Sequence, residues 1–393
     1  MTQPNLATRD LTHSSYIGDF REGQVFHHGA VQIIPARNRA YIDIFNDGLI
    51  LGANPALAKL LGYEDLDANS KLAKYGPTPI GLVSQGLVFN TGFGLSVHGI
   101  SFNARANRSY SNLLFGVHVF EWDILSAQST VLGTLFSRDN SDRGDVQVKT
   151  IVSNQRNETV LEYVRVVTVN AALGQTHAKS NTTKPQPAAI DLRQVFLPNP
   201  YHGLPRGLLG EHGKTFEQFV VKETYHGLSA GSLTFQQGIW IPAITMNDAV
   251  VHYTPPNFIV YGGTVKAVAE GQVSGHFPLA RHLGMNSGTH PVPTYPSDTV
   301  KTYFQGSDEE QHEQLRSRIE VVEATAVPGR EDIGILRIKL ITDKVVTAAG
   351  ERALRAAGLE RMIESARKEG PDTLLEVLNL EQVLAVPTEK AFT

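Results

Sequence analysis

The chain has 393 residues, with 35 Lys and Arg against 39 Asp and Glu, and it contains no cysteine. That length suits two domains of common size, and the near-balanced charge gives no electrostatic case for nucleic acid or an anionic membrane surface. The missing cysteine removes disulfides, thiolate nucleophiles and Cys-held metals, and it fits a reducing compartment.

Met1 to Phe20 is polar and lacks the apolar stretch of a signal peptide. No segment approaches the ~20 apolar residues of a membrane span. A soluble cytoplasmic protein is expected. His27-His28 follows on a short strand. Neighbours on a strand point to opposite faces, so the pair does not form a metal site. Val160 to Val169 alternates and is rich in β-branched residues, the pattern of a strand. Ala171 to Ile190 then loses all periodicity and reads as a linker. The expected division is a first unit over 1–170, a linker over 171–200 and a second unit over 201–393.

In the second unit a helix is expected over Thr264–Val273, with strands at Thr299–Phe304, Arg318–Thr325, Ile333–Ile341 and Leu375–Val386. Val345 to Gly370 interrupts the last two. Its Leu354, Gly358, Met362 and Ala366 recur every four residues, which predicts an amphipathic surface helix stopped by Gly370-Pro371. The units also repeat one another. Asp19-Phe20 to His28 matches Gln218-Phe219 to Gly227, and Gln85-Gly86 matches Gly262-Gly263. Trp122-Asp123 matches Ser297-Asp298, and Arg143-Gly144-Asp145 matches Arg330-Glu331-Asp332. Matches kept in order argue for an internal duplication. Strands that follow one central helix predict an α+β unit whose antiparallel sheet wraps that helix.

The stretch richest in chemistry is Met246-Asn247-Asp248-Ala249-Val250-Val251-His252, followed by Tyr261-Gly262-Gly263. An amide or acid precedes an imidazole, and paired glycines open a helix. Free N–H groups there can hold an oxygen that becomes negative. The alternative is a hydrogen-bonded turn histidine beside a tight turn. His290, in Asn286-Ser287-Gly288-Thr289-His290, either lines a pocket or is an ordinary loop residue. Arg281, Arg330 and Arg337 either meet anionic groups or are solvated. Walker and His-Glu-x-x-His motifs are absent.

Asp19-Phe20-Arg21-Glu22-Gly23-Gln24, Ala106 to Tyr110, Val160 to Arg165, Asn247 to His252, Ile259 to Gly263, Asn286 to His290 and Ala326 to Arg337 carry a resemblance. Together they resemble the MaoC-like family of double hotdog enoyl-CoA hydratases and dehydratases. Within it they are nearest the mesaconyl-CoA (2-methylfumaryl-CoA) hydratase and β-methylmalyl-CoA dehydratase branch. The resemblance covers about residues 15–170 and 210–343, plus the last strand. It implies two tandem hotdog units, water added to or removed from a short branched or dicarboxylic enoyl-CoA, and no cofactor beyond the CoA of the substrate. A metal is not expected. His252 then takes the histidine role, and Gly262 and Gly263 the oxyanion role. Tyr261, His290 and Asn286 would contact substrate. Asn247 falls in the slot of the family's Asp, a departure, because an amide is no general base. It can still orient a water, and the adjacent Asp248 is the other candidate. The first unit, with Asp47 but Gly52 at the histidine position, looks catalytically degenerate. The same fold also admits an acyl-CoA thioesterase or a non-catalytic acyl-CoA-binding protein. Either a homodimer or a higher homo-oligomer is compatible with the sequence.

Overall fold

The computed structural model describes residues 15–63, 81–136, 142–172, 183–229, 231–253, 259–294, 314–346, 351, 355, 360–370 and 372–393. The expected strand Thr299–Phe304, the Ser297-Asp298 match, most of Met1 to Phe20, the middle of the linker, and Leu354 and Gly358 of the insert lie outside them.

The first half of the chain forms β1 (Val25–Gln32), α1 (Pro35–Phe45), α2 (Ile50–Ala53), α3 (Pro55–Leu60) and α4 (Gln85–Ile100). Four strands follow: β2 (Ala104–Phe115), β3 (Ile124–Phe136), β4 (Arg143–Ser153) and β5 (Thr159–Asn170). The second half forms β6 (Thr224–His226), β7 (Gly231–Ser232), α5 (Phe235–Ile244), α6 (Gly262–Val273), β8 (Arg281–Thr289), β9 (Gln314–Val327) and β10 (Arg330–Val346). It ends with α7 (Glu360–Glu364), β11 (Arg367–Glu369) and β12 (Asp372–Pro387).

One antiparallel sheet runs β1-β3-β4-β5-β2-β8-β12-β10-β9-β6, with β7 on β9 and β11 on β12. Its first five strands and its last five have the same chain order, mirrored about the β2–β8 seam. Tyr110 there lies opposite Gly288, and Leu114 opposite Gly284. Joining the two sheets in this way turns two edge strands into interior ones.

The central helices α4 and α6 lie in the core, which runs through both halves. On α4 only His98 and Gly99 escape burial. A helix apolar nearly all round must be covered on every side. Close approach sets the glycines. A Cβ on Gly94 of α4 would stand 1.9 Å from the Thr245 carbonyl oxygen, just past α5. A Cβ on Gly271 of α6 would stand 1.8 Å from the Phe45 carbonyl oxygen, at the end of α1. Each central helix therefore carries the loop that follows the outer helix of the other half. Those loops begin alike. α1 ends at Asn46 (φ 51) and α5 is followed by Met246 (φ 60), both left-handed. The amides of Asp47 and Asn247 then bond back to Ile42 and Pro242.

Two expectations need correction. The central helix of the second half starts at Gly262 rather than Thr264, because Tyr261 caps it and Val265 N–H already reaches the Tyr261 carbonyl. The insert is not one helix stopped at Gly370. Its first residues extend β10 to Val346, and its last form β11, folded onto β12. Gly370 at φ 60 makes the turn between those strands. Ile363 and Ala366 pack on Val346 and Leu375; of the four residues in the expected spacing, Ala366 is the one whose side chain lies among the described residues.

Candidate active site

A cavity of about 280 Å³ opens where the halves meet. The first half contributes α4 through Phe93, β2 through Ala104 to Asn107 and Tyr110, and β5 through Arg165 and Val167. The second contributes Asn247, His252, Tyr261, Gly262 and the segment from His290 to Thr294. The loop that bears Asn247 and His252 rests on α4 through Gly94, so neither half makes the cavity alone.

His252 ends a short turn of 3-10 helix, Val250–His252, and is buried. Its Nδ1 lies 2.8 Å from the Ile259 carbonyl oxygen. A carbonyl only accepts, so Nδ1 holds the proton and Nε2 is left unprotonated in the neutral ring. Burial lowers the imidazole pKa to about 4, against a partial opposing effect of the Ile259 bond. Tyr261 packs beside it, ring centroids 5.4 Å apart, and its hydroxyl has no partner among the described residues.

Asn247 is 1% exposed. Its Oδ1 accepts from Ala249 N–H at 3.2 Å, and Nδ2 has no partner among the described residues. Gly262 and Gly263 open α6, and the first amides of a helix have no acceptor within it. Gly262 lines the cavity, and a Cβ there would meet the His290 ring at 2.5 Å. Gly263 is turned towards α4, where a Cβ would stand 1.9 Å from Asn90 Oδ1. His290 is also at the wall, with Nε2 3.4 Å from the Tyr110 hydroxyl, and burial lowers it to about 4.

Two of the candidates lie elsewhere. Asp248 points out of the cavity and pairs with His98 at 2.7 Å, both side chains nearly half exposed. The left-handed turn at Met246 sends neighbouring side chains to opposite sides. Asn286 accepts from Ile190 N–H and donates to Glu381 Oε1 at 2.7 Å, so it fastens the linker at Ile190 to β8 and β12. Of the three arginines, Arg330 forks onto Asp332 and Arg337 pairs with Glu323. Arg281 is buried near His118.

The first half's counterpart is closed. Asp47 Oδ2 accepts from Ser84 Oγ at 2.6 Å, and its Oδ1 accepts from Leu49 N–H. Gly52 stands where His252 stands, packed against Ser84. Gln85 at the start of α4 bonds both ways to the His282 backbone.

Sequence reasoning missed Arg165. It is fully buried and lines the cavity. The signal was its phase: Leu161, Tyr163, Arg165, Val167 and Val169 all point inward on β5, so a cation sits at a core position. It also missed Asn107, whose amide nitrogen and oxygen are both buried without partners among the described residues.

No family model matches the chain. Its sequence is 26% identical over 342 residues to β-methylmalyl-CoA dehydratase of Chloroflexus aurantiacus, covering 84% of this chain and 88% of the relative. It is 25% identical over 337 residues to mesaconyl-CoA hydratase of Cereibacter sphaeroides, covering 84% and 89%. A solved structure from Chloroflexus aurantiacus, described as a MaoC domain protein dehydratase, superposes with a TM-score of 0.78 at 22% identity, over 96% of this chain and 98% of that one. A conserved hypothetical protein of Mycobacterium tuberculosis, described as a double hotdog fold, gives 0.63 at 17% identity, over 95% and 98%. The fold is the double hotdog.

Proposed function

We propose that this chain, a MaoC-like double hotdog protein, is a hydro-lyase that adds water to, or removes it from, a short branched or dicarboxylic enoyl-CoA of the mesaconyl-CoA or β-methylmalyl-CoA type. One observation carries the reading: a neutral imidazole with an unprotonated Nε2 lines the same cavity as Gly262, the first residue of a buried helix.

In the hydration direction, His252 Nε2 takes a proton from water as the oxygen adds to the β-carbon. The electron pair of the double bond moves to the thioester oxygen, which the amides of Gly262 and Gly263 hold. The imidazolium then returns its proton to the α-carbon, and dehydration runs the same steps backwards. Asn247 Nδ2 donates to the water or to a substrate oxygen. No group beyond the CoA of the substrate is needed for these steps.

The test is a spectrophotometric assay with mesaconyl-CoA. Loss of enoyl absorbance without free thiol is expected, and His252→Ala should lower the rate by ~10³-fold or more. Release of thiol instead would point to thioester hydrolysis. A second reading, a non-catalytic acyl-CoA-binding protein, is favoured by the amide of Asn247 where the family's acid stands. Tight binding of the thioester with no turnover of any branched enoyl-CoA would establish it.

A further inference from the structure

Arg165 is 0% exposed and lies in the wall of the cavity. Its Nη1 and Nη2 donate to Ser101 Oγ at 3.3 Å and Ser96 Oγ at 2.9 Å, and its guanidinium lies 4.2 Å from the centre of the Phe93 ring. Nε–H has no partner among the described residues. Among the described residues, the ionisable groups that act on it are Tyr163, Tyr110 and Tyr261, and no carboxylate is one of them. A buried charge is ordinarily paired with an opposite one.

The other half shows what pairing looks like in the equivalent place. Gly94 and Gly271 correspond, so Glu270 and Lys266 of α6 stand where Phe93 and Phe89 stand on α4. There Lys266 pairs with Glu270 at 2.6 Å, Gln382 of β12 donates to the same oxygen, and His282 is 3.8 Å away. That cluster satisfies itself. Around Arg165 the acid position is a phenylalanine, and the cation faces an open cavity instead.

We propose that Arg165 receives a free carboxylate carried by the acyl group and so selects dicarboxylic acid monothioesters; the inference rests on the acyl-CoA reading above. The unpartnered Nε–H and the Nη hydrogens not spent on serine are the donors of the fork that a carboxylate takes with two oxygens. Successive ring contacts, His252 to Tyr261, Tyr261 to Phe93 at 5.3 Å, and Phe93 to Arg165, link the cation to the imidazole across one cavity wall.

The test is calorimetric and uses two saturated thioesters that cannot be hydrated, 2-methylsuccinyl-CoA and 2-methylbutyryl-CoA, which differ in one carboxylate against one methyl. The wild-type protein should bind the first about 100-fold more tightly, and Arg165→Gln should remove that preference while leaving 2-methylbutyryl-CoA within about threefold. Equal affinities in the wild type, or equal weakening of both ligands in the variant, would overturn the assignment. If Arg165→Gln does not fold, Arg165→Lys, which keeps the charge and loses the planar fork, takes its place with the same two outcomes. Because neither ligand reacts, failure to hydrate mesaconyl-CoA would count against the hydro-lyase reading and leave this result standing.

Discussion

At the scale of single residues, the question is which group moves the proton. Asp248 has its carboxylate on His98 at the surface, where an ion pair is worth little. Asp248→Asn is therefore expected to leave kcat within about twofold, whereas Asn247→Ala should lower it by ~10-fold or more through loss of the buried amide donor. His252 makes a sharper prediction. Its pKa in the free protein is lowered to about 4. A base must be unprotonated, and kcat/KM reports the free enzyme. The acid limb of the kcat/KM profile should thus lie near pH 4, with no decline between pH 7.5 and 5.5. A limb centred near 6.5, the value of a solvated histidine, would remove His252 from the base role. The side chains of this loop were only half legible in sequence. Spacing gives the distance along the chain from Asn247 to His252. It does not give the turn at Met246 that sends Asp248 outward.

At the scale of elements, local patterns carried much of the information. The alternation of Val160 to Val169 and the glycine pair at 262–263 mark real element boundaries, because sheet pleat and helix start are local properties. Arg165 was hidden by the same alternation: the strand pattern is legible with a cation in it, and only its phase marks the residue as buried. The support of the active loop was not legible at all, since Gly94 meets Thr245 across the molecule. That contact gives an element-scale test. A Cβ on Gly94 would stand 1.9 Å from a backbone oxygen and 3.2 Å from Asn247 N. Backbone cannot swing aside as a side-chain tip can. Gly94→Ala should cost about 1–3 kcal/mol of stability and lower kcat more than it changes thioester affinity. Gly29→Ala, where a Cβ meets nothing within 4 Å, should do neither. Equal behaviour of the two variants in melting and turnover would show that α4 does not hold the loop.

At the scale of the whole molecule, duplication with unequal halves has a price in acid stability. Burial at and around the seam holds His252, His282 and His290 down to about 4, and His118 to about 3. Each has a folded pKa below the 6.5 of the unfolded chain. Between those values the unfolded chain binds a proton that the folded chain refuses. Stability is therefore full above pH 6.5 and is lost as pH falls towards 4. The most enclosed of these rings contribute on the order of a few kcal/mol each once the pH is below their folded values. Glu270, which Lys266 and His282 hold below its usual range despite its burial, adds its loss only at lower pH. Asp47 acts the other way, since burial raises it and it takes a proton readily when folded. The net expectation is a melting temperature level above pH 6.5 that falls steadily from 6.5 to 4.5, before most carboxylates titrate. His118→Gln, remote from the cavity and packed between Tyr63 and Phe196, should flatten part of that fall without altering the pH profile of kcat/KM. A melting temperature unchanged down to pH 4.5 would mean that these imidazoles are hydrated in solution and that the seam is more open than the packing of its rings implies.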